Sequence, residues 1–263
     1  MSDTDHLHKQ LAEKDAEIAE LKAEAQENKR LRELDEMKST FVSTASHQLR
    51  TPLSVIKWVL SVLESDTEIK KNPSSSQMVS QASQGVDRIV DVVNDLLNLT
   101  RIKDGRLPFN AEPTEPSVLL EQSAKEREAL AASREIAYSF KIEPNMPKCQ
   151  LDPILVKEAM RNLLNNAFDY SGEKGKVSVT AAVKDDDLTI VVTNTGPGIL
   201  KEEHEKIFEP FFRSPKALQL HPDGSGLGLY LTKAIVTEHG GTVSFTSEPD
   251  KETVFTVSFP MKK

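Results

Sequence analysis

Apolar residues in the first hundred positions recur every three or four residues, and further along they alternate with polar ones. Between Phe41 and Leu63 they fall at Phe41, Ala45, Leu49, Pro52, Leu53, Ile56, Val59, Leu60 and Leu63, which predicts a helix with one buried face. Upstream, Leu7, Leu11, Lys14, Ile18, Leu21, Ala25 and Asn28 follow the four-three spacing of a coiled coil. The stripe resumes at Leu31, Leu34, Met37 and Phe41, one residue out of phase, a discontinuity that overwinds a coil locally. A single solvated, charge-laced helix is the other reading of this stretch. A second amphipathic stripe runs through Met78, Ala82, Val86, Ile89, Val93, Leu96, Leu97 and Leu99, after the turn chemistry of Asn72-Pro73-Ser74-Ser75-Ser76. Two helices joined by a short loop form an antiparallel hairpin. Alone they bury too little, so the pattern predicts a homodimer that closes a four-helix bundle, with the coiled coil continuing the interface.

The pattern changes after Ile102. Lys103-Asp104-Gly105-Arg106 and prolines at 108, 113 and 116 read as a linker. Beyond it the sequence predicts a helix over 117–132, a strand over 136–142, a helix over 152–170, strands over 176–183 and 188–193, a helix over 227–238, and closing strands over 242–247 and 254–259. Strands and helices in this order predict an α/β sandwich. The expected organisation is a coiled-coil helix over 1–37, a dimerising hairpin over 38–103, a linker over 104–113 and a second domain over 114–263.

Composition narrows the partners. The 263 residues carry a formal net charge of -8 and only 5% aromatic residues, which argues against a nucleic-acid surface of basic patches and stacking rings. Cys149 is the single cysteine, so no intramolecular disulfide is expected. No apolar run approaches the length of a membrane span and the amino terminus is polar, so the expected location is cytoplasmic.

Five clusters carry candidate chemistry. His47, in Ser46-His47-Gln48-Leu49-Arg50-Thr51-Pro52, lies beside the apolar stripe and one turn before a helix-bending proline. Glu158, Asn162 and Asn166 recur every four residues and share a helix face, where amide oxygens could hold a hard cation; a solvated surface would look the same. Asn194-Thr195-Gly196-Pro197-Gly198-Ile199 follows a strand, and its glycines would let a flat ring approach the backbone. Ile207-Phe208-Glu209-Pro210-Phe211-Phe212-Arg213 packs three aromatics and a cation into seven residues, and a hydrophobic plug is the plain alternative. Gly224-Ser225-Gly226-Leu227-Gly228-Leu229 opens a helix and offers backbone N–H groups to phosphate.

In this order the last four clusters resemble the N, G1, F and G2 boxes of the GHKL (Bergerat) nucleotide-binding fold, and the first resembles the H box of sensor histidine kinases. The resemblance spans about 35 to 260. It implies an ATP-dependent protein-histidine kinase that phosphorylates His47 and passes the phosphoryl group to an aspartate on the receiver domain of a response regulator. ATP and Mg²⁺ would be the cofactors. Asn166 would ligate Mg²⁺, with Asn162 supporting it one turn away, and Tyr170 would lie along the nucleotide. Asn194, Gly196, Gly198 and Ile199 would receive the adenine. Gly224, Gly226, Leu227, Gly228 and Leu229 would shape a lid over the triphosphate, over roughly 214–225 and without fixed structure until nucleotide binds. Phe208 and Phe212 would clasp it. Thr51 would position water for dephosphorylating the regulator.

Departures from the family pattern shift the expectations. ATPases of the superfamily carry a water-activating glutamate where this chain has Asn162, so hydrolysis should be slow and His47 should be the nucleophile. Gln48 replaces the acidic neighbour of the phosphoacceptor, Asn194 replaces the aspartate that opens G1, and Asp169 stands where a lysine is frequent, putting a repulsive charge near the phosphates if it points inward. A phosphatase-dominant enzyme and a nucleotide-binding dimeric scaffold are the alternative functions. Trp58 is expected to pack rather than to recognise a partner.

Overall fold

The structure is a computed structural model and describes residues 42, 44–46, 48–105, 107–172, 174–222 and 224–261. The expected coiled coil over 1–37 and His47 lie outside the described residues. The chain divides into two compact units between Thr100 and Arg101.

In the first unit, α1 (48–65) is followed by α2 (Thr67–Lys71) and α3 (Pro73–Lys103). Each start has its cap. Asp66 Oδ1 accepts from the backbone of Glu68 and Ile69 at 2.7 and 3.2 Å, and Asn72 Oδ1 accepts from Ser74 and Ser75 at 3.1 and 3.2 Å, with Pro73 opening α3. Helical residues continue through Pro52 without interruption. The hairpin is antiparallel. Arg50 donates to Asn94 Oδ1 at 2.7 Å, and Lys57 pairs with Asp87 at 2.6 Å; that hydrogen bond raises the Lys57 pKa. Leu53, Val86 and Val93 form the buried contact between the helices, flanked by Leu60 and Val90.

The expected buried stripe of α1 is therefore narrower than its periodicity. Leu49, Ile56 and Val59 are exposed, as are Met78 and Ile89 on α3. One facing helix covers only part of a wide stripe. Val55, Trp58 and Val62 form another exposed row, and Trp58, at 66% exposure, does not pack into the hairpin core.

The second unit is a two-layer sandwich. Five strands run in the order β2 (Ala137–Ile142), β4 (Lys176–Lys184), β5 (Asp187–Thr195), β7 (Glu252–Pro260) and β6 (Thr242–Glu248). β2 pairs parallel with β4 and the other neighbours are antiparallel. Helices α4 (Pro116–Lys125), α6 (Pro153–Tyr170) and α8 (Gly228–Glu238) complete the layer. Val177, Val179, Leu188, Ile190, Val192, Phe255, Val257 and Phe259 meet Val156, Met160, Leu163, Leu164, Phe168 and Val236 in one core. Alternate strand positions on the other face include Ser178, Thr180, Thr189, Thr193, Thr256 and Ser258, with Val191 and Val254 among them, so this face is mainly polar.

Two features differ from the expected elements. The helix expected over 117–132 is two, α4 and α5 (Glu128–Ser133), broken at Glu126–Arg127. A two-stranded antiparallel sheet pairs β1 (Glu112–Thr114) with β3 (Cys149–Leu151), and β1 begins at the end of the expected linker. It carries the chain to Asp152, the cap of α6.

Candidate functional site

Asp152, only 5% exposed, fixes where the central helix begins. Its Oδ1 accepts from the backbone of Ile154 and Leu155, both at 3.0 Å, and its Oδ2 accepts from Asn110 at 2.8 Å. Its own N–H donates to His239 Nε2 at 3.0 Å, while His239 Nδ1 lies 2.8 Å from Ile235 O. These bonds require the imidazole tautomer with the proton on Nδ1. The His239 ring stands edge-on to Phe109 and Phe259 at 4.8 and 5.2 Å, and Leu107 packs on Leu155, Ala159 and Ile235. The incoming chain, the start of α6 and the end of α8 are thus joined. His239 therefore has a structural task at the foot of α6.

From that anchor α6 carries Asn162 beside the start of α8 and Asn166 one turn further on. Asn162 is buried at 6% exposure, and its Nδ2 has no hydrogen-bond partner among the described residues. A Cβ placed on Gly228 would lie 3.6 Å from the Asn162 Cβ and 3.9 Å from its Oδ1, so the first turn of α8 runs alongside this amide. Asn166 is half-buried. Glu158, one turn before Asn162, is paired with Arg161 at 2.5 Å.

The carboxyl end of α6 touches the G1 turn. A Cβ on Gly196 would fall 2.0 Å from Tyr170 O, and one on Gly198 would fall 2.5 Å from Glu248 O. The glycines are therefore needed where backbone meets backbone, and the approach of a ring is not their only reason. Asn194 is buried, and its Nδ2 donates to Thr195 O at 2.9 Å, which leaves Oδ1 as the acceptor of that amide. Ile199 packs against the main core and its N–H donates to Ser247 Oγ at 2.9 Å.

The F and G2 boxes meet in the same manner. Phe211 N donates to Gly226 O at 3.0 Å, and a Cβ on Gly226 would sit 2.9 Å from the Phe211 carbonyl carbon. Phe211 holds a φ of 66° and Gly226 one of 70°. Leu227 is buried, and Leu229 packs on the main core. Phe208 and Phe212, expected to clasp the lid, are partly buried against that core; the Phe208 ring lies 6.0 Å from Phe245 and the Lys233 ammonium sits 5.4 Å from it.

Between these boxes the expected featureless lid contains α7 (Pro215–Leu220), capped by Ser214 Oγ on Ala217 N at 3.1 Å. Gly224 follows, where a Cβ would come within 3.1 Å of the Arg213 guanidinium. That guanidinium donates to the carbonyls of Ala217, Pro222 and His221. Lys216 pairs with Asp250 at 2.7 Å. Burial raises the Tyr170 pKa, with Arg213 pulling it the other way. Asp169 Oδ1 lies 3.2 Å from Arg134 and 3.9 Å from His221 Nε2, so its charge is met by the Arg134 guanidinium and it faces the His221 ring.

In the first unit, Gln48 and Thr51 are helical and exposed on α1. No helix among the described residues is long and apolar enough to cross a membrane.

Comparison with known proteins matches residues 37–105 to the His Kinase A (phospho-acceptor) domain. Residues 151–263 match the histidine kinase-, DNA gyrase B-, and HSP90-like ATPase family. The chain is 28% identical over 230 residues to the alginate biosynthesis sensor protein KinB of Pseudomonas aeruginosa, covering 88% of this chain and 38% of that protein. It is 30% identical over 236 residues to the non-motile and phage-resistance protein of Caulobacter vibrioides, covering 86% of this chain and 27% of the relative. It spans well under half of either relative. The crystal structure of full-length ShkA in complex with AMPPNP superposes with a TM-score of 0.66 at 25% identity, over 84% of this chain and 46% of that one.

Proposed function

This chain belongs to the sensor histidine kinases of two-component systems, and we propose that it phosphorylates His47 from ATP and passes the phosphoryl group to an aspartate on a response-regulator receiver domain. The observation that carries this reading is the buried amide of Asn162 beside Gly228. The position from which a carboxylate would activate water holds a group that accepts no proton. Water is left without a base, and an imidazole supplies its own lone pair near neutral pH.

Phosphoryl transfer needs alignment and charge neutralisation more than covalent help from the protein. Asn166, supported by Asn162, would hold Mg²⁺, whose amide-oxygen donors suit a hard cation; when bound, the ion neutralises phosphate charge. Asn194 Oδ1 would accept from the adenine amino group, and Tyr170 would flank the base. The His47 nitrogen forms a bond to the γ-phosphorus as the bridging oxygen departs with ADP. Gln48 orients the imidazole and leaves its proton to solvent, so autophosphorylation is slow. The receiver carboxylate then displaces the imidazole.

The exposed apolar faces of α1 and α3 support a homodimer. The separate exposed row of Val55, Trp58 and Val62 on α1 supports a receiver-docking face below Thr51, with Trp58 as its largest side chain. Regulator dephosphorylation through Thr51 makes the protein bifunctional, and the cytoplasm is its proposed location. The test is incubation with Mg-ATP followed by intact mass, with and without His47→Gln. Acid-labile phosphate on the wild type and none on the variant is the expected outcome. An unlabelled wild type would sink the kinase reading, and a labelled variant would move the phosphoacceptor elsewhere.

A further inference from the structure

The geometry points to Asp169 as a positioning residue that docks the nucleotide lid onto the end of α6, an inference that rests on the reading of this site as an ATP site. The segment from Arg213 to Pro222 is organised around one guanidinium. Arg213 donates to the backbone carbonyls of Ala217, His221 and Pro222, so the stretch is held as a unit. That unit has two external attachments. At one end Lys216 of α7 pairs with Asp250 in the β6–β7 turn at 2.7 Å. At the other, His221 Nε2 lies 3.9 Å from Asp169 Oδ1, and the His221 ring stands edge-on to Tyr170 at 5.9 Å.

Asp169 does not act alone. Arg134, the residue closing α5, donates to the same Oδ1 at 3.2 Å. The carboxylate is therefore anchored from one side by a fixed cation and offers its charge to the lid from the other. Both contacts are partly exposed, with side-chain exposures of 42% and 38% for Arg134 and His221 against 35% for Asp169. Each is modest in strength. The lid needs only a modest bias, because its internal hydrogen bonds are already made by Arg213.

Two roles for Asp169 predict opposite signs. A carboxylate that repels phosphate weakens ATP binding, so neutralising it improves KM. A carboxylate that docks the lid favours the ordered arrangement over the nucleotide, so neutralising it harms KM.

The experiment compares wild type, Asp169→Asn, Asp169→Glu and Arg134→Gln in the full chain, measuring ATP binding by calorimetry with Mg²⁺ and the KM and kcat of His47 phosphorylation. Lid docking gives a KM about three- to five-fold higher for Asp169→Asn, the scale of one partly exposed polar contact. The kcat changes less than KM, the melting temperature stays unchanged, Asp169→Glu restores most of the loss, and Arg134→Gln produces a smaller rise. An unchanged or lower KM in Asp169→Asn overturns the assignment while leaving the ATP site intact. A wild type that binds no ATP overturns both. Equal losses in Asp169→Asn and Asp169→Glu, with a lowered melting temperature, would make the residue structural and also overturn it.

Discussion

Asn162 and Gly228 face each other across the junction of α6 and α8, with 3.6 Å between the asparagine Cβ and the point where a glycine Cβ would stand. That separation is ordinary van der Waals contact. Gly228 is thus not demanded by sterics, unlike Gly198, whose φ of 67° and 2.5 Å approach to Glu248 O leave no room for a side chain.

Gly228→Ala is therefore expected to fold with little change in melting temperature and to bind ATP more weakly, because the new methyl stands beside the Asn162 amide. Gly198→Ala should lose about 2–4 kcal/mol of stability from left-handed strain and overlap, or roughly 5–10 °C in melting temperature. Thermal unfolding and ATP titration of the two variants separate the effects. Equal destabilisation by both would show that Gly228 is a packing glycine.

Thr51 is exposed on α1 and stands four residues after His47 in the sequence. Thr51→Ala should slow dephosphorylation of a phosphorylated regulator by roughly ten-fold or more while His47 labelling continues. Following both reactions by phosphate-affinity gels decides the point, and parallel loss of the two activities refutes the assignment.

Trp58 exposes 66% of its surface beside exposed Val55 and Val62. Trp58→Ala should alter stability by less than about 0.5 kcal/mol and slow transfer from phosphorylated His47 to the receiver by about ten-fold, the scale of an interface anchor. Normal transfer kinetics would return Trp58 to a role within the dimer.

An alkaline transition is expected at Tyr138. Burial pushes its phenol from 10.0 up to about 12, and its hydroxyl donates to Ala124 O at 2.9 Å. The folded state holds this proton more tightly than the unfolded chain, so the stabilisation is complete below the ordinary value and is lost as the pH rises from 10.0 to about 12. Denaturant midpoints measured across that window should fall in the wild type and fall less in Tyr138→Phe.

The long elements were legible in the sequence because burial imposed a period on them. Helix α6 began where Asp152 and Pro153 announce a cap and first turn, and β4 and β5 alternated as a half-buried hairpin should. The break between α4 and α5 was not legible, since Glu126 and Arg127 are good helix formers and no glycine or proline marks the place. Strands of three residues, such as β1 and β3, are too short to show a period. At the site, the motif order located the residues but not their reasons: Gly196 and Gly198 answer to Tyr170 and Glu248, far away in sequence. Helix α7 did leave a signal, serine then proline at its start. The Asp169 contacts with Arg134 and His221 join three separate elements, and no local pattern encodes them.

The hairpin between β4 and β5 turns through Asp185 and Asp186, both with positive φ, at the opposite end of β5 from Asn194. A strand of that length holds the two ends about 25 Å apart. The turn is thus a graft point: a fluorophore or small reporter inserted there would sit far from the glycine turn after Asn194 yet ride on the strand that carries it. The molecule offers a built-in handle for watching its own catalytic unit without touching the chemistry.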